Sequence, residues 1–112
     1  MKIKDIQNWE RGFIKRKGVS LKKEKQTRIA VFKLTEEVGE VAKAILENRW
    51  DEVQAEVSDI IVFACKIANI AEDFYGADKL ENVLKRKIDY CNIRKFNKSS
   101  IKFNKPKNKE FK

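Results

Sequence analysis

The sequence predicts an all-α protein: a compact four-helix bundle followed by a disordered basic tail. Three observations carry this. Apolar residues recur at three- and four-residue spacing over long stretches. Helix breakers are scarce, with four Gly and one Pro in 112 residues. No run shows the sustained alternation of a half-buried strand. Breaks near Gly18, at "ENRWDE" and at Gly76 leave four helical segments with short connections, the pattern of a bundle.

The first helix is expected from Ile3, Ile6, Trp9 or Glu10, and Phe13, ending near Gly18. Ser20 is the expected N-cap of the second, which runs to about Leu46 with Ile29, Leu34, Val38, Val41 and Ile45 as its core face. Asp51 is the expected cap of the third. That helix carries Val53, Val57, Ile60, Ala64, Ile67 and Ala71 and stops at Gly76 in the C′ position. From Ile60 to Ala71 it is apolar nearly all round, broken by Lys66 and Asn69. Two explanations stand: the other helices wrap it, or it lies in a homo-oligomer interface. Asp78 with Glu81 resembles a capping box for the fourth helix, whose core face is Leu80, Val83, Leu84, Ile88 and Cys91. Residues 1–96 form the expected helical domain. Residues 97–112, "NKSSIKFNKPKNKEFK", have six Lys, one Glu and one Pro without a sustained period, and read as a disordered basic tail.

Charge follows the same division. Residues 1–33 hold eleven Lys/Arg against three Asp/Glu, residues 34–81 four against twelve, and residues 82–112 eleven against two. Basic ends are compatible with nucleic-acid contact, but an acidic centre needs its own explanation. The longest apolar run, Ile60 to Cys65, is too short to span a bilayer, and the charged start lacks a signal peptide's apolar stretch. Cys65 and Cys91 show no metal-ligand spacing, which fits a reduced, cytoplasmic protein.

The acidic centre contains a repeat. Leu34-Thr35-Glu36-Glu37-Val38-Gly39-Glu40-Val41 aligns with Val53-Gln54-Ala55-Glu56-Val57-Ser58-Asp59-Ile60 at an offset of nineteen. At helical spacing Glu37 and Glu40 fall about 60° and 120° from their apolar stripe, and Glu56 and Asp59 do the same on theirs. Antiparallel packing through those stripes brings four carboxylates together along one edge. Such a group repels itself unless protons or cations neutralise it. Oxygen-only ligands suit Mg²⁺ or Mn²⁺, and a chain without His argues against zinc or di-iron. The competing reading is that these acids meet water or pair along the helix, Glu36 with Lys33 and Glu40 with Lys43.

Glu36-Glu37-Val38-Gly39-Glu40, fifteen residues, then Glu56-Val57-Ser58-Asp59 resembles the E-E-x-x-E and E-x-x-D signature of the all-α nucleoside triphosphate pyrophosphohydrolases of the MazG-like family. The wording "KLTEEVGEVAKAI" and the apolar run after Asp59 are also similar, and the resemblance covers roughly residues 3–96. It implies Mg²⁺, with Mn²⁺ as substitute, bound by Glu37, Glu40, Glu56 and Asp59. It implies hydrolysis of a nucleoside triphosphate to monophosphate and pyrophosphate by a homodimer or homotetramer. It implies a phosphate-binding Lys on the fourth helix, matched by Lys87. The next position of that pattern, Asn or Arg in the family, falls on Cys91, so Asn92 or Arg94 is the expected substitute. Glu36 is a candidate for orienting water, against a solvated surface role. Phe63 either stacks on a base or fills the core, and Trp50 either covers a ligand or closes the loop. A phosphoribosyl-ATP-type pyrophosphohydrolase, a nucleic-acid-binding helical module and a helical partner-binding protein are the alternatives.

Overall fold

A computed structural model describes residues 1–17, 22–94, 96–97 and 102–103. It is all-α, with four helices: α1 (Ile3–Arg16), α2 (Lys23–Leu46), α3 (Trp50–Tyr75) and α4 (Leu80–Ile93). The chain divides into two compact units, Met1–Ala77 and Asp78–Lys112. No helix among the described residues is long and apolar enough to cross a membrane.

In the first unit α3 packs against α1 and, more extensively, against α2. Its wrapping by these neighbours accounts for much of its apolar character. Ile61 is nonetheless 41% exposed. Residues Glu47–Arg49 join two long helices that pack on each other, so α2 and α3 form an antiparallel hairpin. Asn48 takes the left-handed conformation at φ 56°, which Asn tolerates better than most residues. Arg49 N–H donates to the Ala44 carbonyl (2.8 Å), closing the turn.

The seam between these helices departs from the expected stripe. Ala30 and Ala44 are buried, with Leu34, Glu37 and Val41 half-buried between them at three- and four-residue steps. Ile29, Val38 and Ile45, expected in the core, are 39%, 53% and 41% exposed. Small alanines allow close approach of the two helices, and that favours the neighbouring face over the bulky one. The rotation moves Glu37 from the flank into the seam itself. On α3 the buried positions are Val53, Cys65, Asn69 and Ile70, while Ala64 is exposed.

The expected caps are mostly replaced. Lys22 stands at the N-cap of α2, and Ser20 lies outside the described residues. Arg49 is the N-cap of α3, with Asp51 inside the first turn, where its charge meets the helix dipole. Gly76 ends α3 as expected, at φ 67°, with Ala77 N–H on the Ala71 carbonyl (3.0 Å).

In the second unit Lys79 is the N-cap of α4, and Asp78 makes no capping box with Glu81. Its carboxylate instead accepts from Lys79 N–H (2.8 Å), Asn82 Nδ2 (3.3 Å) and Arg86 (2.9 Å). No strand was expected, yet Phe96–Asn97 pairs antiparallel with Lys102–Phe103, in the register Phe96 to Phe103. Aromatic residues favour extended backbone, a preference outweighed in the sequence reading by the lysines. The remainder of the expected disordered tail lies outside the described residues.

A candidate metal centre and its surroundings

The antiparallel hairpin places the middle of α2 beside the first half of α3. There Glu37, Glu56 and Asp59 come together, one oxygen from each lying within 4.8 Å of the others. Glu37 and Glu56 are half-buried and Asp59 is exposed, so the group opens to solvent at one side. Glu37 Oε2 is buried without a hydrogen-bond partner. No Lys or Arg among the described residues forms an ion pair with any of the three. The neighbouring Glu56 carboxylate first, then burial, then the charges of Asp59 and Glu36 push the Glu37 carboxyl up to about 7.

The cluster is all oxygen and leaves one buried carboxylate oxygen without a hydrogen-bond partner. Its donors suit a hard divalent cation and not a soft one. The cluster thus fits the ion that the acidic repeat called for. Glu40 lies one turn beyond Glu37, is exposed and is not part of the cluster. The bland pairing holds for Glu36, whose carboxylate lies 3.7 Å from Lys33, but Glu40 forms no pair with Lys43.

Trp50 opens α3 and is 59% exposed. Phe63, one turn after Asp59, is half-buried and lines an apolar cavity of about 280 Å³ with Trp9, Phe13 and Ile29. Trp9 and Phe13 stack there at 5.2 Å. A larger apolar cavity, about 530 Å³, involves Ile6, Ser58 and Ile61. Lys87 and Asn92 lie exposed on α4, and Arg94, just past its end, has its guanidinium over the Tyr90 ring (5.0 Å).

Sequence reasoning missed a buried polar ladder between α1 and α3. Gln7 Nε2 donates to Asn69 Oδ1 (2.8 Å) and Glu72 (2.7 Å). Asn69 Nδ2 donates to the Gln7 carbonyl (3.0 Å) and to Glu10 (2.8 Å). Lys66 Nζ reaches Glu10 at 3.2 Å, and Arg11 bridges Glu72 and Asp73. Gln7, Glu10 and Asn69 are buried. The signal was present: polar residues at three- and four-residue spacing on both helices, read singly as interruptions of an apolar face.

A family model described as "MazG nucleotide pyrophosphohydrolase domain" matches residues 25–96, which include both acidic motifs, α2 from its third residue on, and the whole of α3 and α4. The chain belongs to that family. It is accordingly a nucleotide pyrophosphohydrolase, a hydrolase of phosphoric anhydride bonds with a nucleotide substrate. Searches of curated proteins and of solved structures returned no match. The match begins after α1, so the polar ladder and the Trp9–Phe13 stack are positioned by a helix beyond the matched region.

Proposed function

We propose that the protein hydrolyses nucleoside triphosphates, ribo or deoxy, to the monophosphate and pyrophosphate, with Mg²⁺ as cofactor and Mn²⁺ as substitute. The observation that carries this is the unpartnered, buried Glu37 oxygen in a cluster with Glu56 and Asp59. Those three side chains would hold the ion, with Glu40 as a fourth ligand from the next turn. Bound there, Mg²⁺ would supply charge neutralisation and a Lewis acid for the phosphoryl group.

The chain's own residues do the rest. The half-buried cluster is open to solvent at Asp59, so a triphosphate with its cation would reach the acids from that side. Glu36 is the candidate to orient the attacking water, at the expense of its contact with Lys33. The phosphate contacts expected of Lys87, Asn92 and Arg94 rest on the sequence pattern of α4. Cleavage between the α- and β-phosphates follows from the family; the sequence has no Gly-rich P-loop to hold β- and γ-phosphates as an ATPase does.

The test is a panel of ribo-, deoxy- and modified triphosphates, with phosphoribosyl-ATP included, incubated with Mg²⁺ and read by phosphorus NMR. Monophosphate and pyrophosphate are expected; orthophosphate and a diphosphate would overturn the choice of bond. Glu37→Gln, Glu40→Gln, Glu56→Gln and Asp59→Asn should each nearly abolish turnover with helicity intact. Full activity in two of them breaks the ligand set. Lys87→Ala should lower turnover more than it lowers metal binding.

A further inference from the structure

Six exposed cations crowd the ends of two helices in the first unit. Lys15, Arg16 and Lys17 close α1, and Lys22, Lys25 and Arg28 open α2. None of the six forms an ion pair with an acid among the described residues. The two ends lie together with the end of α3, since Ile14, Gln26 and Phe74 line one cavity of about 250 Å³. Acids at this pole are few. Glu72 and Asp73 are already held by Arg11, which leaves Glu24.

Helix stability does not account for this charge. Lys22, Lys23 and Lys25 stand at the start of α2, where the macrodipole favours anions, and no side chain caps that end. Lys22, Lys25 and Arg28 follow one another at three-residue steps, so they form a row on the surface of α2 and repel along it. Two rings stand beside the cations. Phe74 and Tyr75 close α3 and are 52% and 61% exposed. Lys23 Nζ lies 5.0 Å from the centre of the Tyr75 ring, which places that ring at the opening of α2. Lys25 precedes Glu37 by twelve residues, about 18 Å along the helix. A polyanion held at this pole therefore clears the carboxylates that would repel it.

We propose that this pole binds single-stranded nucleic acid. The row on α2 and the last turn of α1 meet the phosphates, and Phe74 and Tyr75 stack on unpaired bases. Positive charge beside exposed aromatic faces is the combination that holds such strands without regard to their sequence. A duplex keeps its bases inside and offers the same surface only phosphates. An anionic bilayer would also meet the cations, but a helix that lies in a membrane interface needs a whole apolar face, and here two adjacent rings stand alone at a helix end. The surface is separate from the acids and does not depend on the hydrolysis proposed above.

The probe is a fluorescein-labelled thymidine oligonucleotide of about fifteen nucleotides, followed by anisotropy with the full chain. Binding should weaken with salt at a log–log slope between about −2 and −4, for three to six neutralised phosphates at about 0.7 counterion each. Lys22→Gln, Lys25→Gln and Arg28→Gln combined should weaken it at least about ten-fold and flatten the slope by about 2. Tyr75→Ala should weaken it at least about five-fold, the loss of one stacked base. Both variants should hydrolyse triphosphates as the wild type does. Lys98→Gln, Lys102→Gln and Lys105→Gln combined, in the basic tail, should cost less affinity than the α2 variant. Should Tyr75→Ala fail to fold, the salt slope and the exposed α2 row decide. A tail variant that loses more affinity than the α2 variant overturns the proposal. So does tighter binding of a duplex of equal length, or retention by phosphatidylglycerol vesicles without binding of the oligonucleotide.

Discussion

Glu37 occupies a position in the α2–α3 seam that packing alone would give to leucine. Its folded-state carboxyl titrates near 7, raised from an ordinary 4.5 by Glu56 first. The folded form therefore binds more protons than the unfolded chain between those values. Metal-free stability should be highest below about 4.5 on this account and fall as pH rises to about 7. Glu37→Gln should remove that fall, seen as a flatter melting temperature from pH 5 to 8 in EDTA, and should also abolish the rise with Mg²⁺. In the wild type Mg²⁺, but not Na⁺ at equal ionic strength, should raise Tm; a hundred-fold excess over Kd corresponds to about 2.7 kcal/mol. Identical melting in both salts removes the metal site. The grouping of Glu37, Glu56 and Asp59 was legible in the sequence because E-x-x-E and E-x-x-D recur in one register. Their exact seat was not, because a stripe through Ile29, Val38 and Ile45 has the same period as one through Ala30, Val41 and Ala44. Only packing distance separates the two.

At the scale of the helix, Gly39 and Asp78 carry the sharpest expectations. A Cβ at Gly39 would meet nothing within 4 Å, so Gly39→Ala should add about 0.5–1 kcal/mol, a few degrees in Tm. A lower Tm would mean that another molecule covers this face of α2. Asp78 is held below its usual 3.8 by Arg86 first, then Asn82 and the Lys79 N–H. Its contribution is present above about 3.8 and lost as pH falls through the lower folded value. Asp78→Asn should lower Tm at pH 6 and narrow the gap between pH 6 and pH 3; parallel curves for both proteins would refute the linkage. The sequence reading set the cap of α4 one residue early, at Asp78 instead of Lys79, and named the wrong partner for the Asp78 carboxylate. A capping box and a longer ion pair to Arg86 both begin with the same acid, and choosing between them takes side-chain geometry.

For the whole molecule, we propose a homo-oligomer. Val31, Val38 and Ile45 stand at seven-residue spacing on α2 and are 47%, 53% and 41% exposed, flanked by Phe32 at 69% and Leu46 at 83%. A heptad stripe of this kind buries itself against a second helix. Light scattering at micromolar protein should give at least twice 13.2 kDa, and Val38→Lys with Ile45→Lys should bring it to the monomer mass. A wild-type monomer sinks the proposal. Four helices were legible from period and breakers, since both signals are local. The ladder joining α1 to α3 was not, because a buried Gln, Asn or Glu makes sense only once its partner on the other helix is known.

The turn at Asn48 has a consequence for how this chain can change in length. Glu37 and Asp59 lie eleven residues to either side of it, and Glu40 and Glu56 eight. Surface turns ordinarily accept insertions at small cost. Here one residue added to either arm rotates its acids by about 100° and slides them by about 1.5 Å, out of phase with the other arm. Only matched additions of whole repeats, about seven residues in both arms, would restore facing carboxylates. The twenty-one residues from Val38 to Ser58 thus act as a calibrated spacer. A single alanine inserted within α2, after Lys43, should cost most of the activity.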